Sequence, residues 1–213
     1  MPGRDAELDV FLDSLHRGIE ERAGAGSEAR RVAKTIRQAL RTTQRQSVPE
    51  PASLPVCSWL CEAVDALAGN ASTGDAGRAA RSRANAIEHA RSLLVLAPRL
   101  TWWRRPDTVG AAGADAGFAD RHANATVIGR DGLEERDDVW VGISLMAPGS
   151  RYPDHHHPPE EVYLVLSGGQ WRQGDGPWHE PGPGGLVHNP PAIQHAMRSG
   201  STPLLATWCL WKG

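Results

Sequence analysis

The spacing of apolar residues changes near residue 105, and this change restricts the chain to a fold with helices first and strands afterwards. From Arg105-Pro106 onward the apolar runs are short, rich in β-branched residues and separated by Gly, Pro or Asp-Gly. The runs are ATVIG, VWVGISLMAPG, EEVYLVLSGG, QWRQG, GGLVHNPP and PLLATWCLW. Runs of this length with frequent turns predict a small antiparallel sandwich or barrel.

The first hundred residues show helical spacing instead. Apolar residues three and four positions apart indicate four helices, at residues 8–19, after the capping residue Ser27, from 57 to a stop at Gly69-Asn70, and from about Ala76 to Leu96. The predicted fold is therefore mainly β with N-terminal α. We divide it into an N-terminal helical region, residues 1–105, packed on a β-barrel domain with a metal site, residues 106–213.

Charge and hydropathy exclude several classes of function. The formal net charge is −2 and Lys and Arg form no dense cluster, which argues against a nucleic-acid partner. No apolar run reaches about 18 residues, the length of a membrane-spanning helix. The N-terminus lacks the basic start and apolar stretch of a secretory signal. We therefore expect a cytoplasmic monomer or homodimer whose partner is a small-molecule substrate.

Two of the three cysteines, Cys57 and Cys61, lie four positions apart in a predicted helix and can share one face of it. Such a pair can bind metal, but no further ligand lies nearby in the sequence. We therefore interpret Cys57 and Cys61 as small hydrophobic residues packed in a core.

The histidines are unevenly distributed, with six of nine between residues 155 and 195. Alternate residues of an extended chain face the same side, so His155, His157, Glu161 and Tyr163 can all project into the barrel. A later strand can bring His195 across the sheet to meet them. Three neutral imidazoles and a carboxylate suit one divalent transition metal such as Zn, Fe(II) or Mn, and leave positions for substrate.

Other polar residues of this stretch receive the ordinary interpretation. Glu160 and His156 have the opposite parity and should point away from the barrel interior. His156, His179 and His188 are interpreted as structural histidines, although His188 can line the mouth of a pocket.

These residues resemble the two motifs of the cupin superfamily. The first motif is matched in full, by Gly149, His155, His157, Glu161 and Gly168. The second is matched over residues 184–199, with Ala192 where Gly is usual and Ser199 where Asn is usual. The resemblance implies a cupin antiparallel β-barrel and a metal held by His155, His157, Glu161 and His195.

A narrower resemblance covers residues 136–185 and 189–199. These segments look like the cupin-type dimethylsulfoniopropionate (DMSP) lyases, above all the DddQ type, which also carry an N-terminal helical region. The resemblance implies cleavage of DMSP to acrylate and dimethyl sulfide. It also implies that Tyr163 is the catalytic base and Tyr152 a second tyrosine of the substrate pocket.

The chemistry of a β-elimination agrees with these residues. A bound metal can act as a Lewis acid toward the substrate carboxylate, and a nearby cation favours the phenolate of Tyr163, whose pKa is otherwise about 10. Aromatic faces suit a dimethylsulfonium cation. Four tryptophans of the barrel half are candidates for this contact, although core packing is the ordinary role of each: Trp140, Trp171, Trp178 and Trp208.

Two alternatives use the same residues. The first is another metal-dependent cupin enzyme, a dioxygenase or isomerase acting on a small carboxylate, for which Tyr163 would be dispensable. The second is a non-catalytic cupin that binds a small ligand. A degraded metal set or a basic helical pair is expected in that class, whereas the ligand set of this chain is intact.

Overall fold

The computed structural model describes residues 3–69, 77–105 and 117–213 of the chain. The helices in these ranges are α1 (Ala6–Arg22), α2 (Glu28–Ala39), α3 (Leu60–Gly69), α4 (Arg78–Leu96) and α5 (Phe118–Arg121). The strands are β1 (Arg45–Gln46), β2 (Trp102–Trp103), β3 (His122–Ile128), β4 (Glu134–Glu135), β5 (Val139–Met146), β6 (Arg151–His155), β7 (Glu160–Val165), β8 (Gln170–Gln173), β9 (Leu186–Asn189), β10 (His195–Arg198) and β11 (Leu204–Trp211). None of the described helices has the length and apolar character needed to cross a membrane.

The N-terminal helices begin where side chains satisfy their free N–H groups. Asp5 accepts a hydrogen bond from the backbone N–H of Leu8 at 3.0 Å, and Ser27 accepts one from Arg30 at 3.4 Å. The helices predicted at 8–19 and after Ser27 are confirmed. The stop at Asn70 and the start at Ala76 were predicted for residues that lie outside the described ranges.

A larger sheet forms most of the barrel, with strand order β1-β4-β3-β5-β11-β7-β9 and β2 attached to β3. Its described pairs are antiparallel except β3 with β4. The helices cover its outer face and share one hydrophobic core with it. The approach is close, because a methyl group on Gly18 of α1 would lie 2.8 Å from Leu164 of β7. The predicted mainly β fold, with N-terminal helices packed on a barrel, is confirmed.

Strand β7 shows why its sequence is apolar almost throughout. Val162 and Leu164 pack outward in the core shared with the helices, whereas Tyr163 and Val165 belong to a second core inside the barrel. Both faces of this strand are therefore buried, and only its inner face carries the residues that bear on chemistry.

Two short strands from the predicted helical region, residues 1–105, join the larger sheet, which the sequence did not predict. β1 pairs with β4, and β2 pairs with β3. The two predicted regions thus contribute to one sheet. Their division into residues 1–105 and 106–213 stays a prediction, and its boundary adjoins residues 106–116, which lie outside the described ranges.

A smaller sheet with strand order β6-β10-β8 closes the other side of the barrel and places His195 opposite His155. The turn before β10 holds Ala192 at a φ of 59°, in the left-handed region. This conformation explains why the cupin motif usually has Gly at that position. At the other departure from the motif, Ser199 accepts a hydrogen bond from the backbone N–H of Ser150 at 2.8 Å.

The cysteines differ from one another in burial. Cys57 is partly buried and packs against the core shared by the helices and the sheet, as predicted. Cys61 is exposed on α3, so the core interpretation is wrong for this residue. Two residues four positions apart share a face only if one helix contains both of them. Here α3 begins at Leu60, after Cys57, so the two cysteines need not face the same side.

Candidate metal centre

Three of the predicted ligands meet where the two sheets face each other. Potential ligand atoms of His157, Glu161 and His195 all lie within 4.8 Å of one another. The Oε2 atom of Glu161 is 3.2 Å from Nε2 of His157 and 3.4 Å from Nε2 of His195. Strand β7 supplies the carboxylate and β10 supplies one imidazole. The loop between β6 and β7 supplies the other.

Backbone carbonyls orient the imidazoles. Nδ1 of His157 is 2.9 Å from the carbonyl oxygen of Pro159, and Nδ1 of His195 is 3.0 Å from that of Ile193. Because a carbonyl oxygen only accepts, each Nδ1 must donate, which leaves the lone pair of a neutral ring on Nε2. Both Nε2 atoms face Glu161. Outer hydrogen bonds of this kind commonly fix the tautomer of a metal-binding histidine.

The Nε2 atom of His195 tests whether these residues suit a cation. It is buried and has no hydrogen-bond partner among the described residues, although a buried polar atom normally has one. Glu161 accepts a hydrogen bond from Nδ2 of Asn189 at 2.8 Å on the same Oε2 atom that faces His195. A lone pair aimed at a carboxylate is unfavourable alone and favourable around a shared cation, so the donor set fits a divalent metal.

The pKa values of His195 and His155 agree with this interpretation. Burial lowers the pKa of His195. Burial, and the repulsion that would arise if both rings were protonated, lower the pKa of His155 well below its ordinary value. Both rings are therefore neutral at pH 7, the form that binds metal. Burial also opposes protonation of His157, but its hydrogen bond and charge interaction with Glu161 outweigh burial and raise its pKa.

His155 lies beside the group of three without joining it. Its ring centroid is 4.1 Å from that of His195 and 6.3 Å from that of His157. Its ligand nitrogens are not among the atoms that lie within 4.8 Å of one another. The role of His155 as a ligand stays a prediction.

Both predicted tyrosines line the cavity that opens above this group. Tyr163 is buried on the inner face of β7, with its ring centroid 6.4 Å from that of Trp171. Burial and the negative charge of Glu161 hold the pKa of Tyr163 well above its ordinary value. The ring centroid of Tyr152 is 4.7 Å from that of His155.

The cavity has a volume of about 800 Å³, large enough for a small organic substrate. Of the four candidate tryptophans, Trp140 and Trp208 line the cavity. Trp171 is buried in the barrel core. Trp178 lies instead beneath the guanidinium of Arg198, 4.4 Å from its ring centroid.

The sequence interpretation missed several residues of the cavity wall. Among them are Trp103, Arg105, Trp211 and Lys212. Trp103 and Arg105 lie in or beside β2, a two-residue strand whose sequence carries no periodicity, and Trp211 and Lys212 lie at the end of β11. Only the tertiary structure brings these two chain segments to the same cavity. The Nζ atom of Lys212 lies 4.2 Å from the ring centroid of Trp140.

Glu160, which has the opposite parity, pairs with residues other than the three candidate metal ligands. Glu160 forms an ion pair with Arg31 of α2 at 2.6 Å and lies 2.7 Å from Nε2 of His188. These contacts fasten helix α2 to the rim of the cavity, to which Glu160 also contributes.

Comparisons with known proteins agree with this architecture. The model of the dimethylsulfoniopropionate lyase family matches residues 28–206. Over 124 residues the chain is 33% identical to dimethylsulfoniopropionate lyase DddQ of Ruegeria pomeroyi, which is 58% of this chain and 60% of that protein. The chain spans 60% and 50% of the length of the two curated relatives it matches.

Solved structures match over nearly the whole chain. The crystal structure of DMSP lyase DddQ from Ruegeria pomeroyi DSS-3 is similar with a TM-score of 0.63 and 24% identity, over 97% of this chain and 92% of that one. A chain from the crystal structures of the DMSP lyases RdDddP and RnDddQII is similar with a TM-score of 0.63 and 19% identity, over 98% and 93%. At these identities the likeness shows the fold, a cupin barrel preceded by helices.

Proposed function

This chain belongs to the dimethylsulfoniopropionate lyase family, and from that premise we propose that it is a metal-dependent carbon–sulfur lyase. Its reaction is the cleavage of DMSP to acrylate and dimethyl sulfide by β-elimination. The observation that carries the proposal is the meeting of His157, Glu161 and His195 at a cavity that Tyr163 also lines.

The metal is one divalent ion per chain, Zn, Fe(II) or Mn, held by His157, Glu161 and His195 with His155 as the fourth ligand. The buried Nε2 atom of His195, which has no hydrogen-bond partner among the described residues, supports a cation at this place. When bound, such an ion supplies a Lewis acid for the substrate carboxylate and offsets the charge of Glu161 that opposes ionisation of a phenol.

Tyr163 acts as the general base and takes the proton from the α-carbon of the substrate. The electron pair of that C–H bond forms the C=C bond of acrylate, and the electron pair of the C–S bond leaves with sulfur. The cationic sulfonium thereby becomes neutral dimethyl sulfide, so the reaction needs no oxidant or reductant. Tyr152, which faces the same cavity, is the second tyrosine of the substrate pocket.

The aromatic wall binds the sulfonium end of the substrate. Trp140 and Trp208 line the cavity, and a cation over an indole face is favourable by about 0.5–2 kcal/mol. Lys212 places its ammonium group over Trp140, and this contact supports a cation site on that face. A methyl group on Gly142 would lie 2.1 Å from Trp208, so the sequence leaves room for this indole at the adjacent strand.

The proposal is tested by the products. Purified protein is incubated with DMSP, and dimethyl sulfide in the headspace and acrylate in solution are measured together with dissolved oxygen. We expect equal amounts of the two products and no oxygen consumption. Oxygen uptake or other products would favour a dioxygenase or isomerase with the same ligands. Binding of DMSP without turnover, by protein that holds its metal, would favour a non-catalytic ligand binder.

A further inference from the structure

Arg105 faces the cavity from the segment that follows β2, and the surrounding contacts fix its backbone. Its backbone N–H donates to Nε2 of His122 at 3.0 Å. Nδ1 of His122 is 2.9 Å from the carbonyl oxygen of Phe118, to which it donates. The rings of Phe118 and His122 are stacked, with centroids 3.9 Å apart. The direction in which Arg105 leaves the backbone is therefore set by a packed structure.

The guanidinium of Arg105 has hydrogen-bonding capacity to spare. Its Nη1 atom donates to the hydroxyl oxygen of Tyr152 at 3.3 Å, and its Cζ atom is 5.6 Å from the centroid of that ring. Among the described residues no carboxylate forms an ion pair with it. Its neighbour Arg104, by contrast, pairs with Asp120 at 2.9 Å. An arginine carries five N–H donors and is always charged, so most donors of Arg105 remain available to a ligand.

The position of Arg105 relates it to the metal centre and to the aromatic wall. Tyr152 stands between Arg105 and His155, whose ring centroid is 4.7 Å from that of Tyr152. Arg105 is thus one side chain away from the predicted ligands. Trp140 and Lys212 line the same cavity, and their stacked pair lies on strand β5 and at the end of β11. The cavity therefore combines a fixed guanidinium with an aromatic face that accepts a cation.

We propose that Arg105 binds the carboxylate of the substrate and makes the cavity selective for small zwitterions with a carboxylate at one end and an onium group at the other. This inference rests on the proposed function and deepens it. A planar guanidinium matches the two oxygens of a carboxylate. Both carboxylate oxygens face the guanidinium fork of Arg105, and the onium end lies against the aromatic wall formed by Trp140 and Trp208.

The test measures binding without turnover. Propionate, which has a carboxylate and no sulfonium, is titrated by calorimetry into wild-type protein and into Arg105→Met. The titrations are made on protein as purified and again after chelation. Loss of a charge-assisted hydrogen bond lowers affinity at least about tenfold, and we expect this loss in Arg105→Met in both states. Arg105→Lys keeps the charge and loses the forked pair of donors. Its affinity for propionate should lie between those of the wild type and Arg105→Met.

Arg104→Met is the matched control. It removes the same charge from the neighbouring residue, whose side chain pairs with Asp120 and does not line the cavity. It should bind propionate like the wild type. Trimethylsulfonium, a cation without a carboxylate, should bind to Arg105→Met as it binds to the wild type. Circular dichroism and thermal melting establish that each variant is folded. If Arg105→Met fails to fold, Arg105→Lys and Arg105→Gln decide the question.

Unchanged propionate affinity in folded Arg105→Met overturns the inference. An equal loss of affinity in Arg104→Met overturns it as well, because net charge alone would then explain the effect. Failure of the proposed function looks different. A wild-type protein that releases no dimethyl sulfide but binds propionate through Arg105 would contradict the lyase and leave the carboxylate site in place.

Discussion

Tyr163→Phe removes a single oxygen atom from the inner face of β7 and tests the assignment of the base. The backbone of Tyr163 pairs with Trp208 on one side and Val187 on the other, and both ladders survive the change. The ring stays in the buried position that it shares with Trp171. The substitution therefore removes the hydroxyl while the strand and its packing remain.

The expected effects on stability and on rate differ widely in size. Glu161 keeps its hydrogen bond from Asn189 at 2.8 Å and its contact with His157 at 3.2 Å. The substitution removes the hydrogen bond that the hydroxyl of Tyr163 donates to Glu161. The loss of one hydrogen bond costs about 1 kcal/mol of folding free energy. Loss of a general base costs a factor of about 10² to 10⁴ in rate, or about 3 to 5.5 kcal/mol of activation free energy. Turnover should fall at least about a hundredfold, with the same metal content and little change in substrate affinity.

The assay is headspace gas chromatography of dimethyl sulfide at saturating DMSP, with metal content and melting temperature measured on the same samples. Tyr152→Phe and the double variant are the companions, since Tyr152 lines the same cavity and can supply a residual base. A rate in Tyr163→Phe above about a tenth of the wild-type rate would refute the assignment, because it is too fast for an enzyme that has lost its base. Tyr152 would then be the next candidate.

Three further substitutions test separate parts of the structure. Burial lowers the pKa of His89 to about 3, whereas the ordinary pKa of histidine is about 6.5. Between these values the unfolded chain binds the proton and the folded chain does not. The free energy of unfolding therefore falls by about 1.4 kcal/mol for each unit by which pH drops from about 6.5 toward 3. His89→Gln should reduce this slope in urea unfolding between about pH 7 and pH 5, and an unchanged slope would contradict the assignment. Ala192→Gly should raise the unfolding free energy by up to about 1 kcal/mol, because Ala192 has a φ of 59°; a loss of stability in the same assay would show that the turn is not strained. Lys212→Met should lower the Kd of trimethylsulfonium about two- to fivefold in a fluorescence titration, because its ammonium competes for the face of Trp140, and weaker binding would mean that Lys212 supports this site.

Most of the fold could be predicted from the local periodicity of apolar residues. The apolar face of α1 and the caps at Asp5 and Ser27 are properties of neighbouring residues, so the sequence predicts them. The two-residue strands β1 and β2 have no periodicity of their own and form only because β4 and β3 offer them a sheet edge. Tertiary pairing of this kind leaves no mark on a single segment.

The candidate site shows the same division. Strand parity placed Glu161 and Tyr163 on one inner face, and the motif spacing brought His157 and His195 to the carboxylate. Parity does not fix distance, and His155 lies beside the group without meeting the spacing shared by the other three.

The wall of the cavity was the least predictable part. Arg105 reaches the cavity through contacts with residues that are distant in sequence, among them Tyr152. The sequence did not distinguish Trp171 and Trp178 from Trp140 and Trp208. In the structure Trp171 lies in the core and Trp178 lies beneath Arg198. Which side of a barrel a tryptophan faces depends on neighbouring strands as well as on its own.

Metal titration of DMSP cleavage tests the central claim most directly. Exhaustively chelated protein is given about zero to two equivalents of Zn, Fe(II) or Mn per chain, and the initial rate of dimethyl sulfide release is measured at each step. The account predicts no release without metal, a linear rise, and a break near one equivalent, with little recovery in His195→Ala. Full activity in metal-free protein would contradict it.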